Sequence, residues 1–307
     1  MTIIDSDEMR NSDGQTEEEF LRLYDPNNYQ RPSVSVDMLI FTVANGEKLN
    51  YRKLPEKILK VLMIKRGNHP FIGRWALPGG FIDINESLDA AASRRLKDEV
   101  NIDNIYMEQL YTWGEVDRDP RTRVINCSYM SLVDSTKQQI KAGHGAWDTQ
   151  WFNVDARTVE MKKTMLCDGY ELENLTRLEL AGDDEEAGAT IRTRLRMNDG
   201  VKSWRREIME SHGIAFDHAL VIQCGLERLR NKIDYTDVVF HLMPEYFSLT
   251  ELQQVYEVIL GRELLKANFR RKIAPMVVET DRVTKDVGHR PSKLYKFNVD
   301  WALNHMD

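Results

Sequence analysis

The sequence has few cysteines, no long apolar run and no excess of positive charge. Its three cysteines, Cys127, Cys167 and Cys224, are odd in number and far apart, which excludes a disulfide framework and a zinc site of paired cysteines. The polar and acidic first 20 residues lack the apolar stretch of a signal peptide, and no later stretch is long enough to cross a bilayer. We therefore expect a cytoplasmic protein with reduced thiols and no membrane partner.

Charge is distributed unevenly along the chain. The net charge is −7, yet between Arg262 and Asn298 ten basic residues stand against four acidic ones. A basic module on an acidic body indicates an anionic partner at one end, although a solvated basic surface explains the same pattern.

The 307 residues fit two domains better than one. We predict a polar lead-in over residues 1–33 with a short helix near Thr16–Tyr24, followed by a domain over residues 34–234. Runs rich in β-formers predict the strands of this domain, over residues 33–43, 57–66, 105–116, 123–133 and 150–154. A hairpin inserted near residues 172–200 has an acidic, glycine-rich turn that we expect to be exposed and mobile. Residues 218–233 predict a closing amphipathic helix.

The segment LPGGFIDINESLDAAASRRLKDEVNI, residues 77–102, combines a loop with a predicted helix over Asp89–Val100. Leu88, Ala92, Leu96 and Val100 fall on one helical face at a spacing of four. Ser87 is a candidate cap, and Asn101 stands where a helix needs a left-handed terminator.

This segment resembles the Nudix box, G-x5-E-x7-R-E-U-x-E-E-x-G-U, in which U is an aliphatic residue. Gly80, Glu86, Arg94, Leu96, Glu99 and Ile102 match the pattern at its spacing. Arg95 replaces the first glutamate of the helix, Asp98 replaces the second, and Asn101 replaces the glycine. The resemblance implies a Nudix-type α/β/α sandwich with a mixed sheet.

In the Nudix family the helix projects carboxylates on one face that bind a divalent metal, usually Mg²⁺, and the metal holds a diphosphate during hydrolysis. Here the corresponding ligands are Glu86, Asp98 and Glu99, and Arg95 leaves the set one carboxylate short and partly neutralised. We expect weak metal binding if any, little or no hydrolysis and no required cofactor, with Mg²⁺ relevant only if hydrolysis remains. The interpretation we favour is that the acids hold the loop and helix together through Arg94 and Arg95.

Arginines and aromatic residues flank the box in two stretches, KRGNHPFIGRWALPGG and VDRDPRTR. Such side chains suit a phosphate together with a base or ribose. Both stretches look like those of ADP-ribose pyrophosphatases and of the Nudix-related transcriptional regulators. The candidate ligand-binding residues are Arg66, Arg74, Trp75, Asp117, Arg118, Asp119 and Arg121. For any one of them alone, a salt-bridged loop is an equally good explanation.

The last segment has the order helix, turn, helix and basic two-stranded wing, typical of a winged helix-turn-helix over residues 235–300. Ser248 and Glu251 predict a capping box, Gly261 ends the first helix, and residues 264–273 form the second. Its apolar face is predicted to be Leu264, Phe269 and Ile273. The segment resembles the winged-helix half of the Nudix-related transcriptional regulators. The candidate DNA-binding residues are Lys266, Asn268, Arg270, Arg271, Lys272, His289, Arg290 and Lys293, with Arg282, Lys285 and Lys296 also in the wing.

The resemblance covers nearly the whole chain and implies a transcriptional regulator whose Nudix-like domain senses ADP-ribose or a related nucleotide sugar. The expected partners are double-stranded DNA, a small effector and a second copy of the chain. One alternative is a Nudix hydrolase acting on ADP-ribose with a C-terminal interaction domain. Another is a sugar effector, since some relatives of these regulators are linked to sugar metabolism.

Overall fold

The computed structural model describes residues 10–46, 54–100, 106–134, 136, 146–284 and 291–304, without the side chains of Glu99 and Val100. Asn101 and Ile102 of the box and Lys285, His289 and Arg290 of the wing therefore lie outside the described residues. The lead-in up to Ser33 and the chain from Val34 onward form two separate compact units.

The described part of the lead-in contains the α-helix α1, Glu17–Leu23, and a short 3-10 turn, Pro26–Asn28. The hydroxyl of Thr16 accepts a hydrogen bond from the Glu19 N–H, and the Glu19 carboxylate accepts one from the Thr16 N–H. This reciprocal pair is a capping box, which starts the helix because it satisfies N–H groups that have no partner inside the helix. The predicted short helix is confirmed.

Ten strands form one sheet in the second unit. Their bounds are β1 Ser33–Asn45, β2 Lys57–Arg66, β3 Trp75–Ala76, β4 Gly79–Phe81, β5 Tyr106–Trp113, β6 Val124–Val133, β7 Ala146–Leu166, β8 Gly169–Ala181, β9 Glu186–Asn198 and β10 Val201–His212. The sheet runs in the order β10-β9-β8-β7-β2-β1-β6-β5, with β3 beside β2 and β4 beside β1.

Helices cover both faces of the sheet. Helix α2, Leu88–Val100, packs Ala91, Ala92 and Leu96 against one face. On the other face lie α3, His218–Lys232, and α4, Leu249–Leu260. Gly225 allows α3 to approach closely, because a Cβ there would lie 2.0 Å from the Cδ2 atom of Leu39. The predicted sandwich is confirmed.

The middle of the chain contains longer strands than the sequence predicted, and one strand more. The expected hairpin near residues 172–200 is present as β8 and β9, but β7 begins before residue 150 and ends well after residue 154. Strand β10 was not predicted at all. Its sequence, VKSWRREIMESH, has five charged residues among twelve and most of its residues are exposed, so it lacks a strong apolar alternation.

The acidic turn between β8 and β9 is exposed, as expected, but it is attached to the body. The Glu185 carboxylate accepts a hydrogen bond of 2.8 Å from Trp75 Nε1 and forms an ion pair with Lys65. These contacts attach the turn to β2 and β3, and its expected mobility stays a prediction.

The C-terminal module follows a 3-10 turn, Val238–Leu242. It contains α4, α5 Lys266–Ile273, β11 Val277–Val283, β12 Lys293–Phe297 and α6 Val299–Leu303. The Ser248–Glu251 capping box and the left-handed Gly261, with φ of 67°, bound α4 as predicted. Strands β11 and β12 pair antiparallel to form the wing. The boundary at residue 234 stays a prediction. Of the described helices, none is long and apolar enough to cross a membrane.

Candidate functional site

A cavity lies where the ends of β1 and β2, the β4 loop and the start of α3 meet. Arg66, Arg118, Asp119 and Arg121 from the predicted ligand set line it. Asp37, Phe216 and His218 line it as well, and none of these three was predicted from the sequence. The signal for Asp37 was available: it is the one acidic residue in the apolar strand SVSVDMLIFTV, and a charge in a buried strand needs a partner or a ligand.

Arg118 joins two carboxylates at the floor of the cavity. Its Nε and Nη2 atoms donate hydrogen bonds of 2.9 and 2.7 Å to the two oxygens of Asp217, and Nη2 lies 3.9 Å from Asp37 Oδ2. The Arg118 side chain is only 5% exposed. Because the pair is bidentate and shielded from water, its geometry is well defined and its charges are strongly coupled.

His218 has a fixed tautomer on the opposite side of Asp37. The backbone N–H of Leu77 donates a hydrogen bond of 2.9 Å to His218 Nδ1, so Nδ1 carries no proton in this arrangement. The remaining proton is on Nε2, which lies 3.3 Å from Asp37 Oδ2. The Oδ2 atom of Asp37 is thus near both a neutral imidazole N–H and a guanidinium.

Two phenylalanines with unusual backbones contact each other beside the cavity, and one of them, Phe216, lines it. Phe71 and Phe216 adopt φ values of 61° and 52°, a region that residues with a Cβ rarely occupy. Their rings lie 4.7 Å apart, and the Arg66 guanidinium lies 4.8 Å above the Phe216 ring. Such backbones are strained and occur mostly where a side chain must point into a site. The residues offer a planar, cation-flanked surface to a ligand.

The opposite wall is formed by Asp119 and Arg121. The Arg121 guanidinium donates hydrogen bonds of 2.9 and 2.7 Å to the two oxygens of Asp119 and lies 5.2 Å from the centre of the Phe81 ring. Burial raises the pKa of Asp119, but the hydrogen bonds and charge of Arg121 outweigh this and hold the pKa below its ordinary value. Asp119 is therefore an ionised group that positions Arg121.

The Nudix box is engaged in internal contacts. Arg94 forms a two-pronged pair with Glu86, whose carboxylate also accepts a hydrogen bond of 2.7 Å from the Asp83 N–H. The hydrogen bond from Arg94 is the largest cause that lowers the pKa of Glu86 to about 2. This pair joins the loop to α2, which is the arrangement we favoured from the sequence.

Arg95 lies against the loop backbone. Its Nη2 donates a hydrogen bond of 3.3 Å to the Phe81 carbonyl, and a Cβ on Gly80 would lie 2.5 Å from the same nitrogen. The Glu86 carboxylate is paired with Arg94, and Asp98 is exposed. The Arg95 guanidinium places a positive charge against the loop. Within the described ranges no group of three metal-binding side chains occurs. The side chain of Glu99 lies outside the described residues, so the expected weakness of metal binding stays a prediction.

Three predicted ligand residues lie outside the cavity lining. Trp75 is only 2% exposed and packs edge-on against Phe152, so its ring belongs to the core. Arg74 is exposed and lies over Phe71 at 5.8 Å, and Asp117 faces a neighbouring groove. The sequence pattern placed these residues in the right loops but could not tell which side of each loop faces the cavity.

The second helix of the C-terminal module exposes a basic surface. Phe269 and Ile273 are buried, as predicted for the apolar face of this helix. The helix begins at Lys266 and not at residue 264, so Leu264 packs against the core from the segment before it. Lys266, Asn268, Arg270 and Arg271 are exposed. Two other candidates are engaged in ion pairs: Lys272 with Asp234, and Lys293 of the wing with Glu279.

Comparison with known proteins assigns the sheet domain and the C-terminal module to different domain families. Residues 239–297 match the family model described as the NrtR DNA-binding winged helix domain, and residues 53–166 match the NUDIX domain model. A protein of Acinetobacter baylyi, named ADPR responsive transcriptional repressor NtrR, is 33% identical over 297 residues, which cover 94% of this chain and 92% of that protein.

Two solved structures share the whole architecture. A MutT/nudix family protein from Enterococcus faecalis has a TM-score of 0.64 at 24% identity, covering 92% of this chain and 94% of its own, and this likeness shows the fold alone. NrtR of Shewanella oneidensis, solved in complex with a 27mer DNA, has a TM-score of 0.56 at 27% identity, covering 88% of this chain and 95% of its own.

Proposed function

Because this chain belongs to the family of Nudix-related transcriptional regulators that includes the Acinetobacter repressor, we propose that it binds operator DNA through its winged helix and that ADP-ribose raises or lowers its affinity for that DNA. The proposed effector is ADP-ribose or a closely related nucleotide sugar, and the acting form is a cytoplasmic homodimer. A dimer suits the module because two winged helices related by a two-fold axis read two half-sites.

One observation carries the proposal: α3 connects the cavity with the basic helix. Its first residue, His218, lines the cavity, and Asp234, just beyond its last turn, contacts Lys272 of α5. A ligand that changes the position of α3 therefore changes the position of the DNA-binding helix. Such a response requires different affinities of the ligand for the two arrangements.

The chemistry of the cavity supports a nucleotide-sugar effector. Arg66 and Arg121 supply two guanidinium groups at its rim, which suit the phosphates of the ligand. The Phe216 ring offers a face to a base, and Asp37 offers carboxylate oxygens to hydroxyl groups. The candidates Arg66, Arg118, Asp119 and Arg121 are kept as binding or positioning residues in this proposal.

The rival function is hydrolysis of ADP-ribose by the Nudix domain. Glu86 bound to Arg94, together with Arg95 on the loop, argues against it. We propose that the chain is not a hydrolase and needs no metal. Turnover of ADP-ribose with Mg²⁺ at an ordinary enzymatic rate, on the order of 1 s⁻¹ or more, would overturn this part of the proposal.

The direct test is selection of duplex DNA from a random pool by the full chain at moderate salt, followed by gel shift with and without ADP-ribose. We expect one enriched sequence and an affinity that ADP-ribose changes by at least about fivefold, the lower end of typical coupling energies. Ribose 5-phosphate and AMP serve as matched controls. A failure to enrich any sequence refutes the regulator, whereas enrichment without an ADP-ribose effect refutes only the effector.

A further inference from the structure

Arg95 brings a positive charge to the edge of the cavity, although its side chain is not part of the lining. Its guanidinium packs against the loop, because a Cβ on Gly80 would lie 2.5, 2.6 and 2.9 Å from three of its atoms. Gly80 and Phe81 both belong to the cavity wall. The charge of Arg95 therefore lies directly beside that wall, on the side of α2.

Phe81 has a guanidinium on either side. Arg121 lies 5.2 Å from the centre of its ring, and Arg95 Nη2 donates a hydrogen bond of 3.3 Å to its carbonyl oxygen. Phe81 is 39% exposed. The surface between the two guanidinium groups is therefore open to a ligand, and its charge favours an anion.

The two neighbouring arginines of α2 have different roles. Arg94 is committed to the two-pronged pair with Glu86, which joins the loop to the helix. Among the causes that lower the pKa of Glu86, the hydrogen bond from Arg94 is the largest and the charge of Arg95 is the smallest. Arg95 can therefore contact a ligand while the Glu86–Arg94 pair stays in place.

The cavity is too small to enclose a nucleotide sugar. Its volume is about 80 Å³, whereas sites that enclose a ligand of that size measure roughly 300–1,000 Å³. The cavity therefore holds one end of such a ligand, and the remainder extends over the wall. The rim at Phe81 is the part of the wall at which two guanidinium groups approach one residue.

We propose that Arg95 binds the diphosphate of the effector, which lies along Gly80 and Phe81 between the guanidinium groups of Arg95 and Arg121. The inference rests on the proposed function, because it concerns the binding site of ADP-ribose. A guanidinium carries five N–H donors in a planar fork that fits two phosphate oxygens. The hydrogen bond to Phe81 orients this fork, and the positive charge at position 95 takes the place of a divalent metal ion in effector binding.

A guanidinium holds a diphosphate without promoting its hydrolysis. A bound metal ion can lower the pKa of a water ligand and so produce a nucleophile. Arginine stays protonated in proteins and cannot accept a proton from water. Arg95 is therefore suited to a site that retains its ligand intact, which is what a sensor requires.

Isothermal titration calorimetry of the full chain with ADP-ribose in EDTA tests the role of Arg95. Arg95→Gln should weaken binding by at least about tenfold, the loss typical of a hydrogen bond to a charged group. Arg95→Lys keeps the charge without the fork, so it should weaken binding less than Arg95→Gln. Lys97→Gln removes the same charge from an exposed position of α2 and should change the affinity by less than about twofold. Mg²⁺ in place of EDTA should also change the wild-type affinity by less than about twofold.

Three results would overturn the inference. They are an Arg95→Gln chain that binds ADP-ribose like the wild type, an equal loss in Lys97→Gln, and a wild-type affinity that rises tenfold with Mg²⁺. Circular dichroism checks that the variants are folded, which the partial exposure of Arg95 leads us to expect. If Arg95→Gln is unfolded, Arg95→Lys decides, and wild-type affinity in that variant overturns the inference.

Titration with inorganic pyrophosphate separates this inference from the proposed function. Weaker pyrophosphate binding in Arg95→Gln, in a chain that does not bind ADP-ribose, supports the role of Arg95 and overturns the effector. Binding of ADP-ribose with equal affinity in both chains overturns the role of Arg95 and leaves the effector in place. A wild-type chain that binds neither compound overturns both.

Discussion

Lys272 of α5 donates a hydrogen bond of 2.6 Å to Asp234 Oδ1, and its ammonium lies 5.3 Å from the centre of the Tyr256 ring. Lys272 is one of the candidate DNA-binding residues, and that role stays a prediction. The structure turns it toward the end of α3, so the ion pair connects the DNA-binding helix to the helix that begins at the cavity.

Removal of this ion pair is expected to affect the response to effector more than stability. Asp234→Asn should change the free energy of unfolding by less than about 1 kcal/mol, because both side chains are substantially exposed. The ratio of DNA affinities without and with ADP-ribose should fall toward one. Asp184→Asn, an exposed acid in the β8–β9 turn, is the control. An unchanged ratio in Asp234→Asn would show that ADP-ribose binding affects the DNA-binding helix through contacts other than this ion pair.

Neighbouring residues of α5 should differ in their effect on DNA affinity. Arg271 is exposed, and its Nη2 donates a hydrogen bond of 3.4 Å to Asn268, its neighbour on the helix. Arg271→Ala should weaken operator binding by about tenfold or more, the loss typical of one base-edge or phosphate contact. Lys272→Ala should cost less than about threefold. Gel-shift titration at a fixed salt concentration measures both, and a larger loss in Lys272→Ala would contradict the orientation of α5.

Replacement of Arg118 should destabilise the fold strongly. Arg118→Met leaves Asp37 and Asp217 buried near each other without their cation, and breaking such a pair costs about 3–5 kcal/mol. Arg118→Lys keeps the charge but loses the two-pronged geometry, so its loss should be smaller. Urea denaturation gives both values. Equal stability of Arg118→Met and the wild type would mean that the two acids are not coupled as the distances indicate.

The Glu86–Arg94 pair predicts a dependence of stability on pH. The folded pKa of Glu86 is about 2, below its ordinary value of 4.5. A depressed carboxylate stabilises the folded state above its unfolded pKa, and this contribution disappears as the pH falls from about 4.5 toward 2. The difference in melting temperature between wild type and Glu86→Gln should therefore be constant above pH 5 and shrink below it. A difference that grows on acidification would refute the pairing.

Much of the architecture could be predicted because local patterns carry it. The spacing of Gly80, Glu86 and Arg94 and the alternating runs before them indicated the strand, loop and helix that the structure contains. In the C-terminal module, the Ser248 cap and Gly261 marked the helix ends because each satisfies a local backbone requirement. Strand β10 and the long ends of β7 escaped detection because exposed strands lack an apolar alternation.

The site was predictable only in part. Arg66, Arg118 and Arg121 were identified by residue type and loop position, yet Trp75 matched the same criteria and belongs to the core. Asp37 and His218 have no local pattern that joins them. Their roles follow from the packing of α3 against the sheet, which brings His218 to Leu77, 141 residues earlier in the chain.

The sequence by itself determined the family, the sandwich and the winged helix, because hydrophobic period, capping residues and motif spacing are properties of neighbouring residues. Only the tertiary structure decided which charges meet. Arg118 between Asp37 and Asp217, and Lys272 on Asp234, depend on strands and helices that are distant in the chain. Electrostatic pairing acts over a few ångströms, so it becomes visible only when the fold has fixed those distances.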